Sequence, residues 1–427
     1  MVDVGRSQVT CRIGVIADDL TGANDAGVQF RKARLSTTVV LEEGALPDAI
    51  ATTDVVVVNT DTRHCEPESA YAKSKRAAQV LGRHGVERIY KKVDSTLRGN
   101  VGAEMDGIMD ALDLGLCVLA PSFPANARTT LHGRQLVNGT PLEDTESSND
   151  ILAPSYSSYI PDVITRQSRR KIGVLSIDAI RRGPEAVREY AGRLHDAGYS
   201  ILVADALEQR DLAIIARAVA DLDIPYMASG SAGLATELPT AYGLVGSASS
   251  VPDTRGASSV LVLVGSATQT SAEQVARMAR EQGVHSLTLD PGMVKDEGAC
   301  AQHVRLLTDE ACHFLAGGHD VIVSVKQDRT SEEVWELSQR IRNALTRIAS
   351  SVVMREPISG IVVTGGDTAE GVFRALQACG ISLESEVLPG VPCGRLVGGI
   401  AHQLRIVTKS GSFGDSDALL VALKHLK

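Results

Sequence analysis

Aromatic side chains are scarce in this sequence: they make up 3% of 427 residues, with a single Trp. The interior must therefore be built from Ala, Val, Leu and Ile, a composition suited to buried parallel sheets. No apolar run approaches the roughly 20 residues of a membrane-spanning helix, and the brief apolar run near the N-terminus is too short for a signal-peptide core. A soluble, cytoplasmic chain is the expectation. Its seven Cys (Cys11, Cys65, Cys117, Cys300, Cys312, Cys379 and Cys393) include no CxxC pair, so neither a zinc ribbon nor a disulfide framework is suggested. Positive charge is in deficit, with 43 Lys and Arg against 52 Asp and Glu and a net charge of -9. That argues against a general nucleic-acid binder, whose affinity rests on clustered Lys and Arg. An anionic ligand would need a local basic cluster. Also absent are GxxxxGK[ST], GxGxxG, HExxH and GxSxG, so no P-loop, dinucleotide, zincin or serine-hydrolase signature is available.

What is present reads as a soluble globular protein, 44% hydrophobic and 22% charged. The length exceeds the roughly 250 to 300 residues at which a single core stops growing, so two domains are expected. Short runs rich in Val and Ile at 12–17, 54–59, 88–92, 116–120, 171–176 and 200–204 predict buried strands. Helical patterns at 69–82, 101–112, 184–197 and 211–222 alternate with them, which predicts a parallel, doubly wound sheet. Around 243–259 the period is lost to Gly, Ser and Pro. A linker is placed at 246–258, between an N-terminal domain of residues 1–245 and a C-terminal domain of residues 259–427. In the latter, strands are predicted at 260–265, 320–325 and 360–364 and helices at 271–282, 331–350 and 368–378. Each domain is thus expected to be α/β, a mainly parallel sheet flanked by helices. The polar stretch 138–161 reads as a long loop, either a lid or a surface excursion. No internal repeat is evident.

Several predicted strands end in polar clusters, at the edge where open α/β sheets bind ligands. ADDLTGANDAG (17–27) sets Asp18 and Asp19 after the first strand, where they could bind a hydroxyl, act as base or ligate Mg²⁺; Asp18 or Asp25 could instead cap a helix. KKVDSTLRGN (91–100) gathers Lys91, Lys92, Asp94, Ser95, Thr96 and Arg98, the groups needed to grip a carboxylate, bind hydroxyls and take a proton. Arg63, in NTDTRH, is a candidate carboxylate clamp or a surface ion-pair partner. APSFPANARTT (120–130) adds Asn126, Arg128 and Thr130, and His132 beside it is either a base or an ordinary loop residue. Convergence of such edges describes a sugar-like substrate site. In the C-terminal domain three Gly-rich turns follow strands or precede a helix: VGSATQT (264–270), TGGDTAEG (364–371) and KSGSFGD (409–415). Together they predict phosphate binding by backbone N–H groups and a helix N-terminus.

ADDLTGANDAG, KKVDSTLRGNVGAE, APSFPANARTT, ASGSAGLA (228–235), VVTGGDTAEGV and KSGSFGD, in this order, resemble the four-carbon acid sugar kinase family, which phosphorylates threonate, erythronate or 3-oxo-tetronate with ATP. The resemblance spans nearly the whole chain. It implies an N-terminal sugar-acid-binding domain, a C-terminal nucleotide-binding domain and an active site in the cleft between them. Carried over by motif, Asp19, Arg63, Lys92, Val93, Asp94 and Ser95 are implied substrate-binding positions. Ser266, Gly365, Gly366, Asp367, Thr368 and Gly411 are implied ATP-binding positions. The chain departs from the family pattern at Asp150-Ile151, where Asp-Pro is usual, and at His64-Cys65, where a larger apolar residue is common. The DSTLRGN form is closer to threonate and erythronate kinases than to the 3-oxo-tetronate branch.

The implied reaction is phosphorylation of D-threonate to 4-phospho-D-threonate, with D-erythronate, L-threonate and 3-oxo-tetronate as alternative acceptors. The expected catalytic residues are Asp94, Asp19 and Lys92. Asp94 or Asp19 would accept or orient the hydroxyl proton, and Arg63 and Lys92 would hold the carboxylate. ATP and Mg²⁺ are the expected cofactors, the metal bridging phosphates with no protein ligand assigned. The expected partners are the sugar acid, ATP and a second copy in a homodimer, with neither nucleic acid nor membrane. Two other classes compete: an aldolase or dehydrogenase with Lys91 or Lys92 as a Schiff base, and a non-enzymatic sugar-acid sensor.

Overall fold

A computed structural model of the protein describes residues 11–145, 156–247, 259–266, 268–326, 334–411 and 413–427. The chain divides into two compact units, Met1–Ala248 and Ser249–Lys427. Most of the linker expected at 246–258 lies outside the described residues, as do Asp150, Ile151 and the centre of the expected 138–161 loop.

The first unit holds strands β1 (Ile13–Ala17), β2 (Thr37–Val40), β3 (Val55–Asn59), β4 (Arg88–Lys92), β5 (Leu116–Ala120), β6 (Arg128–Leu131), β7 (Arg134–Val137), β8 (Thr140–Pro141), β9 (Ile172–Leu175), β10 (Ile201–Ala204) and β11 (Tyr226–Gly230). Eight of them form a parallel sheet in the order β2-β3-β1-β4-β11-β5-β10-β9. Helices such as Leu20–Lys32, Pro67–Arg83 and Val101–Leu112 connect the strands. The four Val of β3 are all buried, because a strand covered on both faces needs an unbroken apolar run rather than alternation. The chain builds β2 and β3 on one side of β1 and β4 on the other. Such a reversal opens a crevice at the carboxyl ends of the strands.

Two small differences from the sequence expectation are informative. Residues 128–141 form a separate antiparallel sheet, β6-β7-β8, so the expected loop begins as a hairpin. His132-Gly133 and Asn138-Gly139 take positive φ at its two turns, and Asn-Gly is the strongest short hairpin signal. Strands β2 and β11 and helix Ala232–Ala241 lie outside the expected elements, and helix Leu20–Lys32 is the one that a cap at Asp18 or Asp25 would have implied. Of these, β11 runs straight into ASGSAGLA, whose glycines serve packing. A Cβ on Gly230 would stand 2.3 Å from the Ala120 carbonyl oxygen, and one on Gly233 2.4 Å from that of Ser122.

The second unit holds β12 (Val260–Val264), β13 (Val284–Leu289), β14 (Asp320–Val325), β15 (Gly360–Thr364), β16 (Gly380–Leu388), β17 (Val391–Val397) and β18 (Arg405–Lys409). Their order is β13-β14-β12-β15-β18-β17-β16. The first five are parallel, while β17 runs antiparallel to both β18 and β16. Helices Gln269–Met278, Glu297–Ala316, Val334–Arg355, Gly366–Ala375 and Ala418–Leu426 accompany the sheet. Among the described residues no helix is long and apolar enough to cross a membrane.

Candidate active site

Strand register creates the first cluster. Ala17 pairs with both Asn59 and Lys92, and Lys92 with Gly230, so the residues that follow β1, β3 and β4 emerge side by side. Asp18 is buried and accepts a bond from Arg63 Nε at 2.7 Å on Oδ2. Asp19 receives Arg63 Nη1 on Oδ2 and Nη2 on Oδ1, each at 2.7 Å. Asp19 also caps helix Leu20–Lys32 by accepting from the Gly22 N–H at 2.9 Å. The cap expected of Asp18 or Asp25 is therefore made by Asp19; Asp18 is turned to Arg63, and Asp25 lies inside the helix.

Three of the five guanidinium N–H groups of Arg63 are thus spent on carboxylates, leaving one on each terminal nitrogen. Burial opposes the charge of Arg63, but Asp18 and Asp19 outweigh it and push its pKa well above the usual value. Burial alone would raise Asp18, yet Arg63, Lys91 and Lys92 hold it below the ordinary carboxylate range. Arg63 is already clamping this chain's own acids, an occupation that the sequence did not reveal.

Lys92 is 3% exposed and donates to the Val93 carbonyl at 2.9 Å. No ion pair to it occurs among the described residues, so protons remain for a ligand. A Cβ on Gly22 would lie 2.5 Å from Asp19 Oδ1 and 2.9 Å from Lys92 Nζ. Glycine at 22 is what lets these two groups converge on the helix N-terminus. Lys91, its neighbour in sequence, points elsewhere: it is fully buried, with Nζ 2.6 Å from Glu104 Oε2, and Glu104 Oε1 accepts from Thr62 Oγ1 at 2.5 Å. A Schiff-base role for Lys91 is incompatible with that burial and pairing.

Asp94 follows β4. Its Oδ2 accepts from Thr96 Oγ1 at 2.5 Å and Arg98 Nε at 2.6 Å. Burial would raise its pKa, but Arg98 and Arg63 hold it well below the carboxylate range. Ser95 lends its carbonyl to Gln135 Nε2 at 2.8 Å, which ties the loop to β7. Arg128 donates to the Asn126 carbonyl and is close enough to feel both Asp94 and Arg98. His132 is exposed at a hairpin turn, its N–H bonded to Asp205, which is the ordinary loop role.

The second cluster arises in the same way. Val264 pairs with Thr364, and Thr364 with Lys409, so the three Gly-rich turns are adjacent. They touch closely. A Cβ on Gly265 would stand 2.0 Å from Thr368 Oγ1, and one on Gly411 2.0 Å from Ser266 Oγ. Gly365, at φ +101°, precedes helix Gly366–Ala375, and no side chain caps that end. Asp367 and Thr368 lie in its first turn. Ser266 Oγ and Thr268 Oγ1 are 3.1 Å apart, and Thr268 Oγ1 donates to the Gly411 carbonyl at 3.0 Å. The uncapped helix N-terminus and the bare backbone of these turns have the makings of an anion site.

The sequence matches two family descriptions, the sugar-binding N-terminal domain over residues 13–238 and the nucleotide-binding C-terminal domain over residues 261–419. Among curated proteins it is 32% identical to a D-threonate kinase of Salmonella typhimurium, over 97% of this chain and 98% of that one. It is 32% identical to a D-erythronate kinase of Heliobacterium modesticaldum, covering 96% of both, and 31% identical to a 3-oxo-tetronate kinase of Cupriavidus necator, covering 97% of both. A crystal structure of a Salmonella typhimurium LT2 protein superposes with a TM-score of 0.82 at 25% identity, covering 97% of this chain and 99% of that one.

Proposed function

Because the chain belongs to the four-carbon acid sugar kinase family, we propose that it transfers the γ-phosphoryl group of ATP to a hydroxyl of a four-carbon sugar acid, D-threonate foremost, giving 4-phospho-D-threonate. The observation that carries this reading is full-length similarity to kinases of such acids, D-threonate kinases among them. Phosphoryl transfer asks little of the protein beyond positioning and charge stabilisation, and the two clusters supply groups for both.

In this reading the substrate carboxylate goes to Lys92, whose ammonium has protons to spare. Arg63 contributes its two remaining N–H groups while fixing Asp18 and Asp19. Val93 and Ser95 shape the loop wall beside them. Asp94, held so strongly ionised, is a weak proton acceptor; it serves better to orient the attacking hydroxyl, with Asp19 as its companion. The phosphates of ATP suit the C-terminal turns, where glycine at 265, 365 and 411 lets the turns pack against Ser266 and Thr368 with no further side chain between them, and where Gly366 opens the helix. Ser266, Asp367 and Thr368 border the same turns. Among the described residues no group of three His, Cys, Asp or Glu is placed to hold an ion. Mg²⁺ would accompany the phosphates and neutralise part of their charge, held partly by water as suits an ion that keeps much of its hydration, and no protein ligand is assigned to it.

ADP release measured with D- and L-threonate, D- and L-erythronate and 3-oxo-tetronate tests the reading. One four-carbon acid should give the largest kcat/KM, with D-threonate first; equal turnover of five- or six-carbon acids would count against it. Asp94→Asn separates the two roles of that residue. A hydrogen bond to a charged group is worth about 1.5 to 3 kcal/mol, so kcat/KM should fall about ten- to a hundredfold at ~1.4 kcal/mol per decade. An orienting role raises KM as well as lowering kcat, whereas a general base loses kcat alone.

A further inference from the structure

The C-terminal unit contains a buried charge for which the roles above have no use. Lys409 ends β18 and is 2% exposed, and among the described residues no carboxylate pairs with it. Its Nζ donates to three main-chain carbonyls of the turn that follows: Ser410 at 2.7 Å, Gly411 at 3.3 Å and Phe413 at 3.0 Å. Other donors act in the same direction. Ser271 Oγ and Thr268 Oγ1 reach the Gly411 carbonyl, each at 3.0 Å. Gln274 Nε2, also buried, reaches the carbonyls of Phe413, Gly414 and Asp415 at 3.0, 3.3 and 2.8 Å.

In a trans peptide the C=O and the next N–H point in opposite directions. Drawing the Ser410 and Phe413 carbonyls onto the ammonium therefore turns the Gly411 and Gly414 N–H groups away from it, and neither N–H has a partner among the described residues. These two N–H groups are donors for an anion, while the Phe413 N–H between them closes the turn onto the Ser410 carbonyl at 3.2 Å. The Gly365 N–H, meanwhile, is bonded to the Lys409 carbonyl at 2.9 Å, which joins this turn to the one at the helix N-terminus.

We propose that Lys409 is the positioning residue of the phosphate loop: its ammonium holds the loop carbonyls inward, turns the Gly411 and Gly414 N–H groups toward a nucleotide phosphate, and supplies a buried positive charge that the triphosphate neutralises. The proposal rests on assigning the nucleotide to this unit. Since all three ammonium protons are committed to carbonyls, Lys409 acts through the loop and through its field. Burial pulls its pKa down to about 8. In the free protein the charge is accordingly lost as pH rises through 8, relieving the cost of burying it. A bound triphosphate favours the charged form, so ATP affinity should be highest below pH 8 and decline above it.

Lys409→Gln keeps hydrogen-bond donors at the loop but removes the charge, and Lys409→Met removes both. Calorimetry of the full chain with ATP, ADP and adenosine is the test. Lys409→Gln should bind ATP at least tenfold more weakly, ADP less affected and adenosine within about twofold of wild type. The decline in wild-type ATP affinity between pH 7 and 9.5 should disappear in that variant. Lys409→Met should bind ATP more weakly still. Three results would overturn the proposal: ATP affinity within threefold of wild type in Lys409→Gln, equal loss for ATP and adenosine, or a flat wild-type pH profile. A wild-type protein that binds no ATP would instead refute the nucleotide assignment itself.

Discussion

Arg63→Ala should lower kcat/KM for the sugar acid by about 10²- to 10⁴-fold while leaving ATP affinity unchanged by calorimetry. Among the described residues Arg63 is the guanidinium bonded to both Asp18 and Asp19, with three contacts of 2.7 Å. Removing one partner of a buried ion pair strands the other and costs about 3–5 kcal/mol. The fold can relieve that by protonating Asp18 and Asp19 or swinging them out, and either response dismantles the acceptor site. At ~1.4 kcal/mol per decade the cost then appears as the stated loss of rate. Arg63→Lys should recover less than tenfold, because a single ammonium cannot reproduce a planar fork across two carboxylates.

The pH dependence of the same variant carries a sign. In the wild type Asp18 is held below its ordinary value, so its stabilising contribution is present above the unfolded pKa of about 3.9 and is lost only as pH falls through the lower folded value. Without Arg63, burial dominates and the pKa moves up. The ratio of variant to wild-type kcat/KM should then fall further as pH drops from 8 to 5. A flat ratio with kcat/KM within threefold of wild type would reduce Arg63 to a solvated charge of the kind worth under about 1 kcal/mol.

The parallel core was legible because strands buried on both faces are written as unbroken apolar runs: Arg88–Lys92, Leu116–Ala120 and Gly360–Thr364 have the very limits that the runs mark. The site edges were legible for a related reason, since polar clusters directly after such runs have nowhere to lie but the carboxyl edge. The pairing of side chains across that edge was not legible. Arg63 lies 44 positions or more from its two carboxylates, and only the register of β1, β3 and β4 brings them together. Lys91 and Lys92 look interchangeable in sequence, yet alternation along β4 sends one into the core against Glu104 and the other to the edge.

The C-terminal unit was less readable where strands departed from the parallel rule. β16 mixes polar residues through its length, as in ISLESEVL, because an antiparallel strand need not be covered on both faces; β17 is buried at six of its seven positions, but Pro, Gly and Arg interrupt its apolar run. The three Gly-rich turns were visible, but the reason for the third was not. Lys409 reads as an ordinary basic residue at a strand end until its three carbonyl partners are seen.

The largest expected effect on stability belongs to the pair beneath the first cluster. Lys91 and Glu104 are both buried, 2.6 Å apart, and Glu104 also accepts from Thr62. Thr62 stands next to Arg63, and its carbonyl receives Asn100 Nδ2 at 2.9 Å, so the pair anchors the loop that carries the guanidinium. Lys91→Met leaves Glu104 buried without its counter-charge, at a cost of about 3–5 kcal/mol. At about 2–4 °C per kcal/mol for a unit of this size, Tm should drop by about 6–20 °C. Pairing the change with Glu104→Leu removes the stranded carboxylate, and replacement of a whole buried pair by apolar groups is often neutral or stabilising, so the double variant should regain most of the lost Tm. Activity should not follow. Thr62 loses its acceptor, and Asp18 loses one of the cations that keep it ionised, so kcat/KM should stay about tenfold or more below wild type in the rescued protein. Recovery of both Tm and kcat/KM would make the pair purely structural, and an unchanged Tm in Lys91→Met would remove it from the core altogether.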